Sequence, residues 1–166
     1  MRRTIVAALA AASLLAPAVV SASPGLSGDP GALRDLAAAR RATVEYRDLA
    51  AATADGYVGV GGCVGIPGVG AMGVHHANFG LFDMTVDPAQ PEGLLYDHSS
   101  GRPRLVGVEY LVPFVGQPAP VLFGRPMMGP MAGHEPGMPD HYDLHAWVWQ
   151  ANPDGILSDF NPNLSC

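Results

Sequence analysis

His134-Glu135-Pro136-Gly137-Met138-Pro139-Asp140-His141-Tyr142-Asp143-Leu144-His145-Ala146-Trp147 holds three of the chain's six histidines and three carboxylates. A loop kinked by proline and glycine runs into an aromatic segment that ends in both tryptophans, Trp147 and Trp149. Whether that segment is strand or helix decides the fold. Tyr142, Trp147, Val148 and Trp149 favour β structure, so Tyr142 to Trp149 is read as a strand. On a strand, residues i and i+2 share a face about 6.6 Å apart, and i and i+4 lie about 13 Å apart. Asp143 with His145, or His141 with Asp143, can then hold one ion. His141 and His145 together cannot, unless the strand bulges or the segment is helical, which would bring i and i+4 close. Histidine is the commonest side-chain ligand of transition metals, and carboxylates complete such sites. The stretch therefore reads as one wall of a metal-binding pocket.

The remaining ligands must come from elsewhere. Gly73-Val74-His75-His76 offers two histidines on opposite faces of an extended segment, of which one can point into the pocket. Glu109 sits in the otherwise apolar run Val106-Gly107-Val108-Glu109-Tyr110-Leu111-Val112. An ionised carboxylate buried there costs several kcal/mol unless it is paired or coordinated. A metal satisfies it; so does an ion pair with Arg104, or an edge strand that turns it to solvent. His134 opens the Pro/Gly loop and is either a further ligand or a surface histidine. His134-Glu135 does not make a zinc-protease motif, because the next histidine is seven residues on and Pro136-Gly137 opposes a helix. His98 falls in a hairpin loop and is expected in solvent. Met127, Met128, Met131 and Met138 cluster nearby, and thioether with imidazole suits copper, although methionines also pack well over a core. No nucleophile-elbow sequence is present.

Met1-Arg2-Arg3, the Ala/Val/Leu-rich run from Thr4 to Val20 and the small-residue site Val20-Ser21-Ala22 together read as a secretory signal peptide over residues 1–22. The alternative, a membrane anchor, is opposed by Ser13 and Pro17 and by the shortness of the run. A short leader, residues 23–28, would precede a single domain over residues 29–166. Loss of Arg2 and Arg3 leaves seven arginines against fifteen carboxylates, a net charge of about −8, and the sequence has no lysine. So acidic a chain is a poor partner for nucleic acid or an anionic membrane surface. In an exported setting Cys63 and Cys166 read as a disulfide closing a loop of about 100 residues, worth about 4 kcal/mol. The competing reading keeps Cys63 as a metal ligand and Cys166 free.

Asp29-Pro30 gives a helix start, with Leu33, Leu36, Ala37 and Val44 as the expected apolar stripe. Asp48 caps a second short helix over Leu49 to Ala54, and Gly56 stops it. Gly68-Val69-Gly70-Ala71-Met72-Gly73 matches the dinucleotide fingerprint formally, but no helix start follows it; tight turns and close backbone packing account for the glycines better. From Val74 the chain reads as β. Leu81 to Val86 is one candidate strand, and Leu94 to Asp97 with Leu105 to Val112 forms a hairpin. Pro113 to Pro139 is long, irregular and rich in Pro, Gly and Met.

These pieces taken together resemble a family of small exported bacterial proteins without an assigned activity. The likeness rests on Ala54-Asp55-Gly56-Tyr57, Gly70-Ala71-Met72-Gly73-Val74-His75, Leu105-Val106-Gly107-Val108-Glu109-Tyr110, His134-Glu135-Pro136-Gly137-Met138-Pro139, His141-Tyr142-Asp143-Leu144-His145-Ala146-Trp147 and Asn161-Pro162-Asn163-Leu164-Ser165-Cys166. The resemblance favours His75 over His76 and sets Glu109 within the matched core. It leaves Met127-Met128 outside.

The sequence thus predicts an α+β domain: N-terminal helices on an antiparallel sheet or small open β-barrel. Its expected partner is one transition-metal ion (Zn, Cu, Fe or Mn), held among His75, Glu109, His134, His141 and His145, with a small molecule as substrate if the protein is an enzyme. The alternatives are a non-catalytic copper- or zinc-binding module and a structural exported domain with buried, satisfied histidines.

Overall fold

The computed structural model describes residues 29–134 and 136–166. The predicted signal peptide and leader, and Glu135, lie outside the described residues. Asp29 accepts a hydrogen bond from the Gly31 N–H at 2.8 Å and starts helix α1, Pro30–Ala42, with Pro30 in its first turn. A single 3-10 turn, Glu45–Arg47, leads into α2, Leu49–Ala54, whose cap Asp48 accepts from the Ala50 N–H. The buried stripe of α1 is Ala32, Leu36 and Ala39, at i, i+4 and i+7. This corrects the expected stripe, since Leu33 and Val44 are more than half exposed. The residues that α1 turns to the core are two alanines and Leu36, which pack in one cluster with the sheet's side chains. The last turn of α1 is pinned there: the Arg40 guanidinium donates to the Val148 carbonyl and sits 4.3 Å over the Trp149 ring, and the Trp149 indole N–H donates to Thr43 Oγ1.

Eight strands follow: β1 Val58–Ile66, β2 Gly70–Ala77, β3 Gly93–Asp97, β4 Arg104–Pro113, β5 Val121–Leu122, β6 Arg125–Pro126, β7 Met128–Met131 and β8 His141–Ala146. Six form one antiparallel sheet in the order β1-β2-β3-β4-β8-β7, curled into a half-barrel, while β5 and β6 make a small separate hairpin. The fold is therefore α+β with an open, curled sheet. Three local expectations are corrected. The sheet begins at Val58 rather than Val74, because the glycine-rich run is itself the β1–β2 hairpin. Within it Gly73 has φ +91°, and a Cβ there would meet the Tyr96 carbonyl at 2.6 Å, so the glycine follows from close strand packing. Leu81 to Val86 forms no strand. There Asn78, Asp83 and Asp87 each fold their side chain back onto the N–H two residues on, and these turns compete with a ladder. The last strand ends at Ala146, where the chain turns away and the Trp147 N–H goes to Ile156.

Alternation divides the sheet's faces. Leu94, Tyr96, Val108, Tyr110, Val112, Tyr142, Leu144 and Ala146 pack with Ala32, Leu36, Ala39 and Ala52 in the main core. The opposite face is covered at one end by a smaller cluster of Ala71, Leu95, Val106, Trp147 and Leu164. The C-terminal segment is held there by the Ala71–Asn161 bridge and the Cys63–Cys166 disulfide. No free cysteine remains among the described residues, so Cys63 is not a thiolate ligand. Among them, no helix is long and apolar enough to cross a membrane.

Candidate metal centre

The uncovered part of that second face holds the chemistry. Directly opposed residues in an antiparallel pair share a face. His75 on β2 pairs with Leu95 on β3, Leu95 with Gly107 on β4, and Glu109 on β4 with both Gly93 and His145. Register alone thus places His75, Glu109 and His145 on one side of the sheet. His76 goes to the other side, where its ring packs on Tyr96 and His98.

Glu109 and His75 are two strands apart and meet because β3 presents a glycine between them. A Cβ at Gly93 would lie 2.5 Å from Glu109 Oε2 and 2.8 Å from Glu109 Cβ. The missing side chain is the space the carboxylate occupies. Glu109 Oε1 lies 3.5 Å from His145 Nε2 and 3.8 Å from His75 Nε2. One donor atom from each of the three residues falls within 4.8 Å of the others, and all three side chains are buried. These gaps are too long for good hydrogen bonds. They approach the roughly 3.3 Å that separates two ligands on one tetrahedral ion with bonds near 2.05 Å. The group of His75, Glu109 and His145 can therefore hold a metal ion.

The burial energetics agree. Neither ring nitrogen of His145 has a partner in the protein, and Asp143 Oδ1 is likewise unpaired. Each such buried group costs about 1–3 kcal/mol when left unsatisfied. Asp143 Oδ1 stands 3.8 Å from His145 Nδ1, on the side away from Glu109. A carboxylate behind a histidine is the usual way to fix the tautomer whose other nitrogen binds a metal. Burial pushes the Glu109 carboxyl up to about 8; the charge of Asp143 adds to this and His145 opposes it. Burial pushes the His75 imidazole down to about 3, with smaller contributions from His145, His134 and His76. Asp143 is raised to about 7 by burial and then by Asp159. Near neutral pH His75 thus offers a lone pair, and a cation entering the group would displace the Glu109 proton.

The sequence-derived candidates separate cleanly in space. His134 is exposed and lines the mouth of the cavity above the group. His141 is fully buried at the far end of the β8 face and does not line the cavity. Its ring lies 5.0 Å from that of His134, its Nδ1 faces the Pro139 carbonyl at 3.1 Å, and its Nε2 is unpaired. Arg104, the proposed ion-pair partner of Glu109, binds Asp97 at 2.8 Å instead, and Glu109 is on a central strand. Met127 belongs to the main core, whereas Met128, Met131 and Met138 line the cavity. Gly93 and Asp159 escaped the sequence reading. A glycine opening an apolar strand is a sign of close approach, but it does not say what approaches.

The cavity above the group measures about 380 Å³. Val60 and Val64 from β1 and Met128 and Met131 from β7 line it together with Glu109 from the centre. The two sheet edges face one another across it only because the sheet curls. Comparison of the chain with protein-family models, with curated proteins and with solved structures gives no match.

Proposed function

We propose that this is an exported protein with a mononuclear transition-metal site, in which His75, His145 and Glu109 bind one ion and a small substrate reaches it from the cavity. The observation that carries the reading is the convergence of three buried donors from three strands, with both His145 nitrogens unpartnered. Closed sites with four protein ligands are structural, whereas three ligands and an open position mark catalytic ones. Two histidines and one carboxylate beneath an open cavity are of the second kind. Such a set suits Zn or Fe(II), with Cu and Mn as further occupants, and affinity together with supply decides among them. When bound, the ion would polarise or activate a small molecule beside it. The chain's own groups have separable roles. Glu109 supplies the negative charge that balances the cation, Asp143 stands 3.8 Å behind His145 as the carboxylate that would orient it once the ion is bound, and His134 stands at the mouth. The Cys63–Cys166 disulfide supports the exported setting, since such bonds persist in oxidising compartments.

Elemental analysis of the purified protein is the test, with close to one equivalent of Zn, Cu, Fe or Mn expected. Titration of that metal into Glu109→Gln and His145→Ala should show affinity lowered by at least about 10–100-fold, and His98→Ala should be unchanged. Protein that stays metal-free after exposure to these ions overturns the proposal.

A further inference from the structure

The cavity is chemically one-sided beyond its ligands. Val60, Val64, Phe79, Leu111, Met128 and Met131 form much of its wall. Phe79 is 53 % and Val64 43 % exposed, so apolar surface continues out to the rim. The polar groups of the lining are His75, His134 and His145 and the carboxyls of Glu109, Asp143 and Asp159. Among the described residues, no serine, threonine, asparagine, glutamine, tyrosine or tryptophan lines it, and no arginine; the sequence has no lysine. Three of the arginines are engaged away from it: Arg40 with Val148 and Trp149, Arg104 with Asp97, and Arg125 with the Leu157 carbonyl.

Those absences decide the ligand class. An anion would meet carboxyls and no protein cation, and burying an unpaired charge costs several kcal/mol. A sugar, nucleotide or peptide would lose hydrogen bonds to water and regain few, because the hydrogen-bonding side chains of the described wall are confined to three histidines and three carboxyls, and the rest of it is aliphatic, methionine, phenylalanine or glycine. Methionine walls instead adapt to varied apolar shapes. We infer that the cavity takes a neutral, largely apolar small molecule of on the order of 15 non-hydrogen atoms, with at most one group that coordinates metal. Only that last group rests on the metal-site proposal; the apolar, neutral character rests on the wall.

A matched pair of dyes tests it. N-phenyl-1-naphthylamine and 8-anilinonaphthalene-1-sulfonate share a ring system and differ by one sulfonate. Each is titrated by fluorescence into the whole chain, first metal-free and then after loading with Zn²⁺, with metal uptake measured in parallel. The neutral dye should saturate at one per chain and bind at least tenfold more tightly than the sulfonate in both states. Met131→Trp and Met128→Trp each place a large ring in the cavity and should weaken the neutral dye at least tenfold, with circular dichroism unchanged. Two such variants guard against one that fails to fold. Equal affinity for the two dyes, or neutral-dye binding unaffected in a folded tryptophan variant, overturns the inference. The two proposals fail separately. Neutral-dye binding without metal uptake upholds this inference and removes the metal site, while metal uptake with no neutral-dye binding does the reverse.

Discussion

Gly93→Ala is the most discriminating single change. The added methyl would lie 2.5 Å from Glu109 Oε2 and 2.8 Å from Glu109 Cβ, well inside van der Waals contact. Overpacking of this size costs about 1–3 kcal/mol. Replacing glycine also removes unfolded-state freedom, which stabilises by about 0.4–1 kcal/mol. The clash wins over nearly all of that range, leaving a net loss of up to about 2.6 kcal/mol in metal-free protein. For a domain of this size that lowers Tm by up to roughly 10 °C. The larger effect falls on the metal. Relief requires Glu109 to shift with its Cβ and backbone as well as to swing its carboxylate, so affinity should fall at least about tenfold, although no candidate donor has been replaced. Urea melts and metal titration read the two effects. A double-mutant cycle isolates the cause: Glu109→Gly removes both crowded atoms, and in that background Gly93→Ala should cost nothing or stabilise slightly. An equal cost in both backgrounds, or unchanged metal affinity in Gly93→Ala, refutes the idea that Gly93 makes room for the carboxylate.

Three further outcomes follow from groups outside the ligand set. Glu92 is buried and accepts the Leu111 N–H at 3.0 Å, yet burial outweighs that bond and lifts its carboxyl from 4.5 to about 7. The native chain keeps a proton that the unfolded chain releases, so this group's stability contribution is lost as pH rises from about 4.5 to 7. Glu92→Gln should therefore match the parent near pH 4.5 and exceed it at pH 8 by on the order of 2–3 kcal/mol; parallel urea stabilities at both pH values would contradict this. His76 is buried on the helix side with both ring nitrogens unpaired. His76→Phe should keep full metal affinity and raise stability by about 1 kcal/mol, and impaired metal uptake would return His76 to the ligand set. Cys63 and Cys166 are 103 residues apart in sequence, so the double Cys→Ser variant should lose about 4–5 kcal/mol. Mass analysis should find no thiol that alkylates without reductant.

Much of the architecture was readable because single residues spoke locally. Asp29-Pro30 and Asp48 gave both helix starts, and the aromatic run after His141 gave β8. Period-two spacing put Asp143 and His145 on one face, and a lone carboxylate in an apolar strand drew attention to Glu109. What failed was mostly information held between segments. Alternation separated His75 from His76 but could not say which faced the cavity, since that depends on how β2 registers with β3. The α1 stripe was misplaced by assuming that large residues are buried, whereas the face turned to the core carries Ala32 and Ala39 beside Leu36 and leaves Leu33 exposed. The Asx turns at Asn78, Asp83 and Asp87 overrode an apolar run that looked extended. The Pro/Gly/Met segment hid β7, because Met128–Met131 is a strand only by virtue of its partner β8. Gly93 signalled close approach in general terms, but what approached became visible only with Glu109 opposite it.

The spread of the three candidate donors over β2, β4 and β8, with β3 between the first two, has a consequence for quality control. A strand that slips by one residue turns its side chains to the opposite face. A slip between β2 and β3, β3 and β4, or β4 and β8 would therefore strip one donor from the group. The β1–β2 ladder already carries two register irregularities, and its glycines specify alignment weakly. A bound ion that needed all three donors would act as a proofreader of strand alignment. By mass action it would stabilise only chains whose ladders are in step, leaving mispaired ones unmetallated, looser and first in line for proteolysis.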